Sequence, residues 1–218
     1  MSDQFSDVRI EYGDEPLRRV DVPATPWPLF AQWLEAATKA GVSEPNAMSL
    51  ATCDAAGQPH CRVVLCKRVD ERGLLFFTNQ ASNKGDELRA NPRAAVTFWW
   101  GLPRNRQVRV EGAIVEAEAA ESDQYFWSRP RRAQLCSAAS PQSRVVKGRA
   151  ELERLVDELE QQVGDGVVPR PAHWGGYLLR PTSIEFWQGR NGRLHDRLRY
   201  LAGDGGAGAA WRIERLAP

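Results

Sequence analysis

Two clusters of residues have the types and spacing to do chemistry. The first lies in RVVLCKRVDERGLLFFTNQASNK (residues 62–84), which offers Arg62, Lys67, Thr78, Ser82 and Lys84 along a strand, turn, strand and helix start. A helix N-terminus flanked by hydroxyls and a lysine is a ready anion site, because its N–H groups are unpaired and its dipole end is positive. The second is RLHDRLR (residues 193–199), in which Arg193, His195, Arg197 and Arg199 alternate and would share one face of a strand. A row of cations around an imidazole is costly to bury without an anion. Phosphate or other anion binding is the chemistry these sets can do. Each has a plainer alternative. The first is read slightly more simply as a solvated hairpin. The second could be an edge strand blunted by charge, although its partner run, Ile184-Glu185-Phe186-Trp187-Gln188, is too aromatic for a simple solvent edge.

The elements that must position these groups follow from periodicity. Val63, Val64 and Leu65, then Leu74, Leu75, Phe76 and Phe77, suit two strands of a pleated sheet, joined through Asp70-Glu71-Arg72-Gly73. Ser82 is placed to cap a helix that ends at Asn91-Pro92. Upstream, Leu29, Phe30, Trp33, Leu34 and Ala37 form one helical stripe closed by Gly41, and Ala47 to Cys53 reads as a strand. Downstream come strands at Arg93–Trp100 and 106–117, a helix at 119–127, and a loop or broken helix over 128–144. A helix at 150–163 follows, then strands near 176–179, 183–188, 193–201 and 210–216. The last hairpin turns at Asn191-Gly192, and 203–209 reads as a flexible loop. Residues 1–24 read as a mobile arm and 25–218 as a single domain. About seven mostly antiparallel strands with two or three helices predict a mainly β fold, a small barrel with flanking helices.

Composition bounds the function. The chain has 218 residues, a hydrophobic fraction of 42% and a net charge of +1. Near-neutral charge argues against a nucleic-acid partner, and no apolar run approaches a membrane span. The polar first twenty residues do not read as a secretory leader. Cys53, Cys61, Cys66 and Cys136 lack metal-site spacing and read as buried, reduced thiols of a cytoplasmic protein. His60, His173 and His195 lack metal-ligand spacing, so no metal is expected. There is no dinucleotide fingerprint, P-loop or nucleophile elbow. Eight tryptophans imply broad aromatic contact surfaces, in the core, on a flat ligand or against another subunit. Two cationic clusters and many aromatics point to two flat, phosphorylated ligands, a cofactor and a substrate.

The motifs RVVLCK (62–67), FFTN (76–79), SNK (82–84), RQV (106–108), YFWSRPR (125–131), QS (142–143), EFWQG (185–189), RLHDR (193–197) and the terminal RLAP occur in order from about Glu44 to Pro218. In them the chain resembles the pyridoxine/pyridoxamine 5′-phosphate oxidases, which are FMN flavoproteins. The resemblance implies an FMN-binding split β-barrel and a homodimer with flavin sites at the subunit interface. It places FMN on Arg62, Lys67, Thr78, Lys84, Gln107, Gln142, Ser143, Trp187 and Arg197, with backbone contacts near Val63 and Phe77. It gives the substrate phosphate to Lys67, Tyr125 and Arg129, and sets Arg193 and His195 over the substrate ring. His195 and Arg197 carry the implied electrostatic or proton-handling roles. The implied reaction converts pyridoxamine or pyridoxine 5′-phosphate to pyridoxal 5′-phosphate, with O2 reduced to hydrogen peroxide.

Asn83 stands where the family often has a second flavin-phosphate arginine, and Ala133 replaces a serine that usually contacts substrate phosphate. LCSAAS at 135–140 also departs from the family's run. Two alternatives follow: a sister flavoenzyme of the phenazine type, or a flavin- or pyridoxal-phosphate-binding protein without turnover. Strict alternation places Arg62 and Lys67 on opposite faces, so a shared ligand requires a bulge or a strand end.

Overall fold

The computed structural model describes residues 11–203 and 210–218. The first ten residues of the expected arm, and 204–209 of the expected loop, lie outside the described residues.

Eight strands are found among the described residues: β1 (Ala47–Cys53), β2 (Pro59–Asp70), β3 (Gly73–Asn79), β4 (Arg93–Trp100), β5 (Arg106–Glu116), β6 (Trp174–Gln188), β7 (Asp196–Ala202) and β8 (Trp211–Arg215). Their order is β3-β2-β1-β4-β5-β6-β7-β8, and a further β3–β6 pairing closes six of them into an antiparallel barrel. The helices are α1 (Pro26–Lys39), α2 (Asn83–Ala90), α3 (Ala119–Ser128), α4 (Arg131–Ala139) and α5 (Arg149–Val163). The expected barrel with flanking helices is therefore present, with more helices than the sequence pattern gave.

The chain divides into two compact units. One gathers the described parts of Met1–Ser49, Ala95–Glu111 and Pro181–Pro218; the other gathers Leu50–Ala94 and Gly112–Arg180. In the first, the apolar stripe of α1 forms the core. Phe30 meets Phe98 edge-on at 5.2 Å, and Trp33 meets Phe186 at 5.2 Å. Arg106 lies 4.3 Å over the Trp33 ring, and its Nε donates to Gln188 Oε1 at 2.8 Å. Burial lowers the Arg106 pKa to about 10, with the Arg104 charge acting in the same direction.

In the second unit β2 and β3 form the expected hairpin, with Asp70 opposite Gly73 and Gly73 at φ 139°. A separate apolar cluster of Phe126, Leu135, Val156, Val168 and Trp174 packs α3, α4 and α5 together. The α4 stretch was expected as loop or broken helix. It buries only Gln134 and Leu135, too little to leave an apolar stripe in the sequence.

Two expectations about the C-terminal strands are corrected. Two strands were expected on either side of Pro181, but β6 runs through it. Pro181 falls between the stretch that pairs with β3 (174–179) and the stretch that pairs with β7 (183–188), so neither of these ladders requires its missing N–H. Nor does the last hairpin begin its return strand at Arg193. Asn191–Arg193 is a 3-10 turn, Arg193 has φ 61°, and β7 starts at Asp196. Arg193 and His195 therefore do not share a strand face with Arg197 and Arg199.

Candidate active site

The β2–β3 ladder slips once. Cys66 pairs with Phe76 and Arg68 with Leu75, leaving Lys67 as an extra residue on β2. This bulge answers the alternation problem, since a bulged residue escapes the strict two-residue period. Arg62 and Lys67 both line one cavity of about 650 Å³, within the range of small-molecule sites. Val63, Phe77, Thr78, Lys84, Tyr125, Arg129, Ala133 and Gln142 line it as well. The lining holds four cations, Arg62, Lys67, Lys84 and Arg129, and no carboxylate.

Arg62 is fixed from behind. Its Nη2 donates to Glu87 Oε2 at 2.8 Å, its Nη1 donates to Thr52 Oγ1, and Thr52 Oγ1 donates to Glu87. Glu87 is buried. Burial pushes its pKa up, but the hydrogen bonds from Thr52 and Arg62 outweigh that and leave it lowered. Lys84 is buried too, and it meets only neutral oxygens: its Nζ donates to Ser82 Oγ at 3.0 Å and to Gln142 Oε1 at 2.8 Å. Burial and then the nearby Arg62 charge lower the Lys84 pKa. Thr78 Oγ1 donates to the same Gln142 oxygen at 3.2 Å. Ser82 occupies the N-cap position of α2 without a side-chain cap bond; its hydroxyl donates to Asn79 O at 2.6 Å instead.

A second part of the cavity is aromatic. Phe77 stacks on Tyr125 at 4.3 Å and on Trp174 at 5.5 Å. Lys67 Nζ is 5.9 Å from the centre of the Tyr125 ring, and the Arg129 guanidinium lies 5.2 Å over Trp174. Arg129 Nη2 donates to Ser137 Oγ at 2.8 Å, whereas Arg129 Nη1 is buried with no partner. Burial lowers the Arg129 pKa. A planar ligand carrying phosphate fits these donors: Lys84 is buried against neutral oxygens, Arg129 Nη1 is buried with no partner, and flat rings offer a stacking wall.

Gln107, Trp187, Arg193, His195, Arg197 and Arg199 belong to the first unit. Trp187 and Arg197 are paired across β6 and β7. The Trp187 and His195 rings are 4.7 Å apart, and the Arg190 backbone N–H donates to His195 Nδ1 at 3.1 Å. That bond leaves Nε2 to carry the proton of the neutral ring. Burial and then the Arg193 charge lower the His195 pKa. Arg197 donates through Nε and Nη2 to Glu185, at 2.8 and 3.1 Å, which raises its pKa. Arg199 donates to Glu214 at 2.7 Å. The expected row of cations thus has carboxylates of its own. Gln107 is half-buried on β5, and Arg193 is exposed. Asn83 and Ser143 are exposed and do not line the cavity.

Sequence reasoning missed Tyr12, Glu87, Trp174 and Ser137. Tyr12 meets Trp187 edge-on at 6.0 Å and His195 at 5.5 Å, yet it sits in a stretch too polar to read as structured. Glu87 is buried in a short polar helix with no apolar stripe to mark its inner side. Trp174 had no local signal, because its pairing with Asn79 brings it in, and Ser137 lies on a helix that was expected as loop or broken helix.

A family model described as pyridoxamine 5′-phosphate oxidase matches residues 34–163, and one described as the pyridoxine 5′-phosphate oxidase C-terminal dimerisation region matches 174–218. The pyridoxine/pyridoxamine 5′-phosphate oxidase of Pseudomonas paraeruginosa is 52% identical over the whole of both chains. The crystal structure of PhzG from Burkholderia lata, in complex with tetrahydrophenazine-1-carboxylic acid, superposes with a TM-score of 0.85 at 32% identity, covering 94% of this chain and 99% of that one. A pyridoxamine 5′-phosphate oxidase-related, FMN binding protein from Nostoc punctiforme shares the fold, with a TM-score of 0.70 at 18% identity over 89% of this chain and 98% of that one.

Proposed function

The chain belongs to the pyridoxamine 5′-phosphate oxidase family, and we propose that it oxidises pyridoxamine 5′-phosphate, pyridoxine 5′-phosphate or both to pyridoxal 5′-phosphate. FMN is the resident cofactor in this reading. The amine, water and O2 give the aldehyde, ammonia and hydrogen peroxide; the alcohol and O2 give the aldehyde and hydrogen peroxide. The match of 174–218 to a dimerisation region supports a working homodimer, and the four cysteines, of which Cys61 and Cys136 are exposed rather than buried as expected, form no disulfide, which suits a reducing, cytoplasmic setting.

The observation that carries the reading is the one cavity with four cations, no lining carboxylate and an aromatic wall. Flavin, when bound, would supply the redox chemistry, as an acceptor for a hydride equivalent that O2 can reoxidise. The chain's residues bind and orient. Lys84, Arg62 and the Thr78 hydroxyl hold the cofactor phosphate, with Gln142 tying Lys84 to Thr78. Lys67, Tyr125 and Arg129 hold the substrate phosphate. Gln107 and Trp187 meet the flavin ring, and Arg197, fixed by Glu185, keeps a permanent positive charge beside Trp187. Arg193 and His195 lie over the substrate ring, where neutral His195 can donate from Nε2.

A sister activity on an unphosphorylated ring has one observation in its favour, the absence of a hydroxyl at Ala133. Aerobic turnover separates the two. The purified yellow protein is expected to form peroxide and pyridoxal 5′-phosphate in equal amounts from at least one of the two substrates. A flavin-loaded protein that turns over neither would overturn the oxidase reading.

A further inference from the structure

The cavity face of α4 is polar. Ala133, Cys136, Ser137 and Ser140 all line the cavity, at spacings of three and four that put them on one side of a helix. Two observations single out Ser137. Its oxygen accepts from Arg129 Nη2 at 2.8 Å. The other guanidinium nitrogen, Nη1, is buried without a partner. No carboxylate lines the cavity to answer this guanidinium, so its second N–H group waits for an anion from outside the chain. A serine hydroxyl that accepts one bond still has its own hydrogen to give, and no acceptor for it is recorded among the described residues. Nη1–H of Arg129 and Oγ–H of Ser137 are thus two unused donors held together by a hydrogen bond. One turn earlier, Ala133 has no group to offer.

We propose that Ser137 is the specificity-determining hydroxyl for the phosphate of the substrate, acting as a pair with Arg129. The proposal rests on the reading of the cavity as a site for phosphorylated ring substrates. Ser137 does not touch the reacting carbon; it selects ligands that carry a phosphate and fixes the guanidinium that shares it. A chain lacking a hydroxyl at 133 keeps phosphate recognition because α4 supplies one a turn later.

The test uses the flavin-loaded protein and two ligands that cannot be oxidised at the 4′ position, 4-deoxypyridoxine and its 5′-phosphate, titrated by calorimetry. In Ser137→Ala, the phosphorylated ligand is expected to bind about tenfold more weakly, the loss typical of a hydrogen bond to a charged group. The unphosphorylated ligand and the flavin content should not change. Ser137→Thr, which keeps the hydroxyl, should bind the phosphorylated ligand within about threefold of the native protein. Unchanged affinity in Ser137→Ala, an equal loss for both ligands, or a native protein that does not prefer the phosphorylated form would each overturn the proposal. Failure of the oxidase reading appears separately, as phosphate-selective binding through Ser137 without turnover of either substrate.

Discussion

Arg62 and Lys67 are five positions apart on β2, yet both line one cavity, because Lys67 is the extra residue in a slipped ladder. The bulge therefore belongs to the site. Deleting Lys67 would join Cys66 directly to Arg68, with their partners Phe76 and Leu75 unchanged, and would remove the bulge and the bend it puts in β2. The deletion protein is expected to purify without flavin, whereas Lys67→Met, which keeps the backbone, should purify yellow. Absorbance of the two preparations near 450 nm decides it, and a yellow deletion protein would refute the role given to the bulge.

Lys84 gives a prediction with a sign. It is buried beside neutral oxygens, and burial followed by the Arg62 charge lowers its pKa from 10.5. A deprotonated Lys84 cannot attract phosphate, and the ester dianion does not change charge above neutrality. FMN affinity relative to riboflavin affinity should therefore fall as pH rises, beginning below 10.5, because the two flavins share the same ring and only FMN carries the phosphate that Lys84 attracts. Lys84→Met should weaken FMN by about 10- to 100-fold at pH 7.5 and abolish this pH dependence. Fluorescence titration of the apoprotein with both flavins measures each.

Glu87 holds Arg62 in place, so its loss should show in stability before chemistry. The pair is 2.8 Å apart, with the two side chains 22% and 7% exposed. Removing one partner of a mostly buried pair leaves an uncompensated charge; allowing for the partial exposure of Arg62, Glu87→Ala is expected to cost about 2 kcal/mol. The folded-state pKa of Glu87 lies below its ordinary 4.5. Its contribution is thus fully present above pH 4.5 and is lost as pH falls through the lowered value. Urea denaturation at pH 7 and at pH 4 should show a smaller difference in the variant than in the native protein.

Much of this architecture was legible in the chain. Strands β1 and β4 begin and end where their apolar runs do, and the stripe from Leu29 to Ala37 gave α1. What stayed hidden depended on partners remote in sequence. Pro181 reads as a break until β6 is seen to change partner there. The alternation of Arg193 through Arg199 looked like one face until the positive φ of Arg193 took it out of the strand. The anions expected for that row proved to be Glu185 and Glu214, supplied by neighbouring strands. The Arg62 to Lys84 end of the cavity was readable from local motifs, but Trp174 reaches it through its pairing with Asn79, and Ser137 through a short helix too polar to stand out in the sequence.

His195 is neutral near pH 7 on this geometry, with its pKa lowered below 6.5 by burial and then by Arg193. If neutral His195 donates from Nε2, activity should decline on the acid side as the ring protonates, with an apparent pKa below 6.5. Arg193→Gln removes a positive charge that disfavours protonation, so the acid limb should shift upward in pH toward the ordinary value. NMR titration of the ring in the free protein should shift in the same direction. A downward shift, or none, would show that Arg193 does not act on His195 through charge.

Gly176 sets the aromatic wall. It pairs with Phe77 across β3 and β6, and a Cβ there would lie 2.9 Å from the Phe77 ring and 2.8 Å from the Ala117 side chain. Phe77 cannot retreat easily, because it is stacked against both Tyr125 and Trp174. Gly176→Ala should therefore push the ring out of the stack and cost about 1–3 kcal/mol through overpacking. The double variant Gly176→Ala/Phe77→Leu, which removes the obstructing ring edge, should recover part of that stability. It should not recover substrate affinity, which depends on the flat wall itself. Thermal melting together with KM for pyridoxamine 5′-phosphate separates the two effects, and recovery of both by the double variant would mean that the stacked rings serve only to pack the unit.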